Sequence, residues 1–253
     1  MVRFEIGNRR LVAGGWMTLL ALTGVLLFAQ LGRWQWHRAA EKRLIAAAFT
    51  ASTAAAATDL GTHSTAALAR YAPVRASGRY ESAHQFLLDN MSHSGQTGYE
   101  VLTPLRLDDG RVLLVNRGWV PWPNHRRDQL PDVTLATAGH LTIGGRLDDL
   151  PVTGLSAGRA APSNDAHWPK RTSFPTAPQL GAALREGTMP AQKIEPRQLL
   201  LNASEPQGFA RDWRSSSASF GPERHVSYAV QWWGLGALTL FLYLFMNLER
   251  RPL

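Results

Sequence analysis

The sequence predicts a membrane protein in which two transmembrane helices flank a β-rich extramembrane domain, an antiparallel sheet or small barrel of α+β class. Two observations carry this. Leu11 to Gly32 and Val226 to Leu248 hold no Asp, Glu, Lys, Arg or His, and at about 1.5 Å per residue each reaches roughly 33 Å, enough for a hydrocarbon core of about 30 Å. Between them lie short, often alternating apolar runs punctuated by Gly, Asn and Asp, the pattern of strands and turns.

From the N-terminus, residues 1–10 form a basic tail with Arg3, Arg9 and Arg10, followed by the first span over 11–32. A secretory signal is the alternative. The apolar run exceeds the usual h-region of about 7–15 residues, and no small-x-small site precedes Leu31-Gly32-Arg33-Trp34, so an anchor is expected. Ten residues leave no room for a transit peptide, which points to a bacterial inner membrane. The extramembrane segment covers 33–225, the second span 226–248 and a second tail 249–253. Two spans place both tails on one side. The positive-inside count leaves the orientation open, because the tails hold five basic residues and the loop-side flanks seven.

The central domain opens with an alanine-rich stretch, Glu41 to Ala57, expected to continue helically from the first span. Strands are expected at Pro73–Tyr80, Gln85–Asp89, Tyr99–Leu107, Arg111–Val120 and His140–Leu147, with a two-residue hairpin at Asp109-Gly110, where glycine supplies the positive φ. Pro151 to Pro178 reads as a long loop. A short helix at Gln179–Glu186, a strand at Arg197–Asn202 and a polar linker, Arg214–Phe220, complete the domain.

Composition narrows the chemistry. The absence of cysteine removes disulfides, thiolate metal sites and cysteine nucleophiles. The net charge of +8 divides unevenly, because residues 46–210 hold 15 basic and 14 acidic side chains. Basicity therefore flanks the membrane, and nucleic acid is not an expected partner. Gly154-Leu155-Ser156-Ala157-Gly158 matches a nucleophile elbow, but Pro151 before it and Pro162 after it deny the strand and helix that geometry needs. The pairs Asp108-Asp109 and Asp148-Asp149 sit at strand ends, where turn capping is the ordinary role. No two histidines lie three to five residues apart, so no HExxH-type metal site is expected.

His225 stands in the first turn of the second span, with Tyr228, Ala229, Trp232 and Gly236 on the same helical face. An imidazole can ligate haem iron, and aromatic and small side chains offer a porphyrin flat walls and room. Gln231 lies deeper than an aromatic belt requires. The alternative from spacing alone is an interfacial histidine, a tryptophan belt and Gln231 bonded to the first span at Gln30.

Four motifs in order resemble the surfeit-locus-protein-one family: Trp34-Gln35-x-x-Arg38, Thr103-Pro104-Leu105, Val115-Asn116-Arg117-Gly118-Trp119-Val120-Pro121, and His225-x-x-Tyr228-x-x-Gln231-Trp232. Asn164-Asp165-Ala166-His167-Trp168 resembles a further family segment. The resemblance implies a non-enzymatic cytochrome c oxidase assembly factor with its β-rich domain in the periplasm or intermembrane space. It further implies haem a as transient cargo, with subunit I of the oxidase, haem a synthase and the lipid bilayer as partners.

The family's haem-ligand position falls on His225 here, which makes it the expected iron ligand. Tyr228, Gln231, Trp232, Gln35 and Arg38 are the expected surroundings of the haem. Arg38, with Arg33 or Arg224 as alternatives, would pair with the propionates; headgroup snorkelling is the competing role. His37 is read as interfacial, with second axial ligation the alternative. Asn116, Arg117, Gly118 and Trp119 form a structural motif at the end of a core strand, against which stands a surface docking role. A haem-free scaffold for subunit I is the rival function, and a hydrolase built on Ser156 the third.

Overall fold

The computed structural model describes residues 2–6, 9–135, 139–152, 160–164, 166–187, 193–213 and 221–250. They form two compact units, one of residues 1–49 with 214–253 and the other of 50–213. Ser156, Asp165 and the Arg214–Phe220 linker lie outside the described residues.

The first unit is a helix pair with a small sheet at the chain ends. Strands β1 (Val2–Ile6) and β2 (Arg9–Ala13) form an antiparallel hairpin. Helix α1 spans Gly15–Ala54, so Leu11 to Ala13, expected inside the first span, belong to a strand instead. Gly14 and Gly15 mark the change, glycine being among the weakest residues for continuing a helix backwards. The helix runs through the membrane-length segment without a break and on into the alanine-rich stretch. Its length comes to about 60 Å at 1.5 Å per residue, twice a bilayer core.

Opposite α1, a later helix, here α3 (Pro222–Asn247), starts four residues before the expected span, with Pro222 at its first position. The two helices are long and apolar enough to cross a membrane. They meet through small residues. Gly32, Ala229 and Gly236 are buried, and a Cβ on Gly32 would collide with the Trp233 indole, so glycine there permits the close approach typical of membrane helix pairs. Phe28 stacks on Trp232 at 5.8 Å, Trp36 lies 5.8 Å from Trp233, and Thr18 hydrogen-bonds Tyr243 at 2.9 Å. The last strand of the chain, Leu248–Arg250, pairs antiparallel with β2. Described residues of both expected tails thus lie in one sheet.

The second unit is a five-stranded closed barrel with additions. After the two-residue β3 (Thr58–Asp59) come β4 (Pro73–Tyr80), β5 (Phe86–His93), β6 (Gln96–Leu107), β7 (Val112–Pro121), β8 (His140–Asp149), β9 (Lys170–Thr172), α2 (Ala177–Glu186) and β10 (Ile194–Leu201). Closure runs β4-β8-β10-β7-β6 and back to β4. Counted along the chain as strands one to five, the order is 1-2-3-5-4-1, with the third and fifth parallel. That is the connectivity of an OB-type Greek-key barrel. The expected antiparallel sheet or small barrel is thus a closed barrel whose pairings are antiparallel except β7 with β10. Gly78 lets β4 serve two neighbours at once, since β4 pairs β8 along Pro73–Arg79 and β6 at Gly78–Tyr80, and a Cβ on Gly78 would strike the backbone of Arg106.

Alternation along β4 points Val74, Ala76 and Tyr80 inward, where they meet Leu105, Leu107, Leu113, Val115, Ile143, Leu147, Leu199 and Leu201. On the outer face of β6 and β7 a second core forms from Phe86, Leu102, Val112, Leu114, Leu180 and Leu184. This explains why Val112 to Val115 is uninterruptedly apolar. The strand is covered on both faces.

Two expectations change here. Leu107 N–H donates to Arg111 O and Gly110 N–H to Leu107 O, so the β6–β7 turn holds three residues, with Gly110 at φ 86° as its left-handed member. The Pro151 to Pro178 segment is not all loop. It contains β9, whose Lys170–Thr172 pair in parallel with Phe86–Leu88, and the start of α2. Thr176 caps α2 in a capping box with Gln179, a Thr-x-x-Gln signal present in the sequence.

Candidate functional site

The first turn of α3 follows from Gly221 as N-cap and Pro222, whose fixed φ suits the first helical position. Three residues on, His225 is half-buried against α1. Its Nδ1 lies 2.7 Å from Oε1 of Gln35. Nε2 of His225 has no hydrogen-bond partner among the described residues. One helical turn beyond Gln35, Arg38 occupies the same face of α1. It ion-pairs with Glu41 at 2.7 Å, both side chains being about half exposed. Arg33 donates from Nε to His37 Nε2 at 3.4 Å.

Trp232 stacks on Phe28 from the face below His225, forming an aromatic wall across the two helices. Tyr228 and Gln231 are exposed on α3. Gln231 therefore does not bond the first span at Gln30; the polar link between the helices at this end is His225 with Gln35. The helix pair thus brings together His225, Gln35 and Trp232, with Arg38 close along α1. Tyr228 and Gln231 face outward.

The Asn116-Arg117-Gly118-Trp119 motif lies in the barrel unit and forms a β-bulge. Glu100 pairs with Trp119 and Leu102 with Asn116, so Val101 faces both Arg117 and Gly118. Gly118 adopts φ 112°, and its N–H, withdrawn from the β6 ladder, donates to Asn116 Oδ1 at 3.1 Å. Fully buried, Asn116 spends its amide N–H groups on Glu100 Oε2 at 2.7 Å and Gln198 Oε1 at 3.2 Å. Burial raises the Glu100 carboxyl above its usual range, although the Asn116 bond opposes this.

Arg117 is 2% exposed. It donates from Nε to Gln207 O at 2.8 Å and from Nη1 to Gln85 Oε1 at 2.9 Å and Val133 O at 3.0 Å. Desolvation pushes its guanidinium down to about 10. So enclosed, the Arg117 side chain is not presented at the surface. The bulge opens β7 to a new neighbour: Trp119 and Ala210 exchange both backbone hydrogen bonds, and Phe209 N–H donates to Arg117 O at 2.7 Å. Trp119 Nε1 donates to Met91 O at 2.9 Å. The segment 207–213, which leads toward α3, is thereby strapped to the barrel.

The acidic pairs are spent on structure. Asp148 meets Arg70 at 2.6 Å, Asp149 meets Arg197 at 2.9 Å, Asp109 caps Arg111, and Asp108 meets His140 at 2.8 Å. A cleft of the barrel unit is lined by Asp89, Arg127, Leu130, His167 and Arg171, but Asp89 and Arg127 neutralise each other at 2.5 Å. Sequence reasoning missed Glu195. This fully buried carboxylate accepts from Arg111 Nη1 at 2.9 Å, Thr65 N at 2.6 Å and the hydroxyls of Ser64 and Thr65. Nothing in its local pattern, Lys-Ile-Glu-Pro-Arg, signals that it ties β10 to the short helical turn Thr65–Ala67.

Residues 22–237 match a family model described as the SURF1 family. A SURF1-like protein of Monosiga brevicollis is 25% identical over 253 aligned residues, which span 92% of this chain and 88% of that protein. The matched range takes in both the His225 and Gln35 segments and the whole barrel.

Proposed function

Because the chain belongs to the SURF1 family, we propose that it is an assembly factor of cytochrome c oxidase that holds haem a at the membrane interface and passes it to subunit I. In this reading it is a carrier and not an enzyme. It sits in a bacterial inner membrane with the barrel on the periplasmic side, and haem a synthase is the donor.

The observation that carries the reading is the imidazole of His225, held to α1 through Nδ1 while Nε2 makes no hydrogen bond among the described residues. The donor set fits the cargo. A neutral imidazole nitrogen is a common axial ligand of haem iron, and the stacked Phe28 and Trp232 offer a flat apolar wall. Haem a keeps two propionates. Arg38 would hold them through charge-assisted hydrogen bonds, releasing Glu41, since an exposed ion pair is worth only about 0–1 kcal/mol. Arg33 is the second candidate.

The test is spectroscopic. Protein purified from cells that make haem a should carry its absorption bands, and His225→Ala should lose them. Bands unchanged in the variant would remove His225 as ligand. A wild type that co-purifies with subunit I but carries no haem would instead favour a haem-free scaffold.

A further inference from the structure

We propose that Gln35 is the positioning residue of the haem site: its amide oxygen holds the His225 ring with the proton on Nδ1, so that the Nε2 lone pair is presented to iron. This rests on the reading of His225 as ligand.

A side-chain amide oxygen only accepts, so the 2.7 Å contact requires Nδ1 of His225 to donate. In a neutral imidazole the other nitrogen then carries the lone pair. The second histidine at this end of the pair has the opposite polarity. Arg33 Nε donates to Nε2 of His37, so that lone pair is already engaged. Of two histidines close to the same membrane face, one is prepared as a ligand and the other is not.

Geometry reinforces this choice. Gln35 lies on α1 and His225 on α3, and the contact joins positions 190 residues apart. The helix pair is fixed nearby by Trp36 against Trp233 and by Gly32 beneath the same indole, so packing holds together the two helices that the bond joins. Metal-bound histidines commonly donate their second N–H to a carboxylate, a carbonyl or water, which sets tautomer and basicity. Here the acceptor is a neutral amide. It polarises the imidazole less than a carboxylate would, which suits a site that must give up its iron.

The experiment has an arm that needs no haem. Full-length protein labelled with ¹⁵N-histidine is studied without haem by long-range ¹H–¹⁵N spectra, with His225 assigned from His225→Ala. The wild type should show the Nδ1–H tautomer. Gln35→Ala should move His225 toward Nε2–H, whereas Gln35→Glu, which keeps an acceptor oxygen, should retain Nδ1–H. Hemin is then titrated into each. Gln35→Ala should bind about 10–100-fold more weakly, Gln35→Glu should recover binding, and its ferrous Fe–His stretching band should rise in frequency.

An Nε2–H tautomer in the wild type overturns the proposal. So does a Gln35→Ala variant indistinguishable in both tautomer and hemin affinity while His225→Ala loses binding. If His225→Ala binds hemin as the wild type does, the ligand reading itself falls and takes the purpose of Gln35 with it.

Discussion

The guanidinium of Arg117 lies 4.8 Å over the ring of Phe209, and its Nε donates to the carbonyl of Gln207 two residues earlier. A buried cation in the barrel wall thus grips the segment that carries the chain toward the second span. No carboxylate shares this site among the hydrogen bonds that Arg117 makes; its acceptors are an amide, a hydroxyl and two backbone carbonyls. A charge held by dipoles alone depends on all of them.

Arg117→Lys is therefore not conservative. One ammonium cannot reach Gln207 on one side and Gln85 with Val133 on the other, as the planar fork does. One or two charge-assisted bonds are lost, each worth about 1.5–3 kcal/mol, and the expected destabilisation is on the order of 3 kcal/mol. Thermal unfolding of the full-length protein checks this; a melting temperature equal to wild type would show that the acceptors are satisfied without the guanidinium.

Gly118→Ala tests the bulge. At φ 112° any L side chain is strained by about 1–3 kcal/mol, and the new Cβ would stand 2.6 Å from Ala210 O. The strap at 207–213 should loosen. Limited proteolysis is expected to cut there faster in the variant, with the barrel remaining intact; equal cleavage rates would mean that the strap is held elsewhere.

Glu195 supplies a pH dependence. Burial works against its ionisation, yet Arg111, the Thr65 N–H and the hydroxyls of Ser64 and Thr65 outweigh it and hold the carboxyl below the usual glutamate range. A depressed pKa in the folded state gives stabilisation that is complete above the unfolded value, about 4.3, and is lost as the pH falls through the lower folded value. Glu195→Gln should melt below wild type at pH 7, and the gap should close as the pH falls below about 4. A gap that does not narrow as the pH falls below about 4 would assign the effect to packing instead of charge.

Gly32→Leu should separate the helices, because the indole of Trp233 occupies the space a side chain would need. The chain has no cysteine, so Thr18→Cys with Tyr243→Cys provides a clean reporter. A short bismaleimide should join the two positions in the otherwise wild-type protein and do so several-fold less in the Gly32→Leu background. Undiminished cross-linking would show that the pair tolerates the side chain.

Much of the architecture was legible in the linear chain. Hydropathy marked the apolar stretches that lie in α1 and α3, and period-two alternation located β4 at its observed bounds and β6, β7 and β8 to within three residues, because these signals are local. The errors have two different origins. Gly14-Gly15 moved the start of α1, and β9 escaped notice because three polar residues become a strand only when β5 lies beside them.

The residue types at the candidate site were also visible, in the order of motifs that links Gln35 and Arg38 to His225. What they do to one another was not. Whether Gln231 or Gln35 makes the polar link depends on how two antiparallel helices are rotated about their axes, which Gly32 and the tryptophans decide by packing. Likewise, whether Arg117 is a surface cation or a buried clamp depends on barrel closure, which pairs β7 with a strand some eighty residues later. Sequence by itself determined which segments are apolar, which alternate and which side chains are available. Only the tertiary structure decided the partners, because a hydrogen bond across 190 residues leaves no periodic trace in either of the segments it joins.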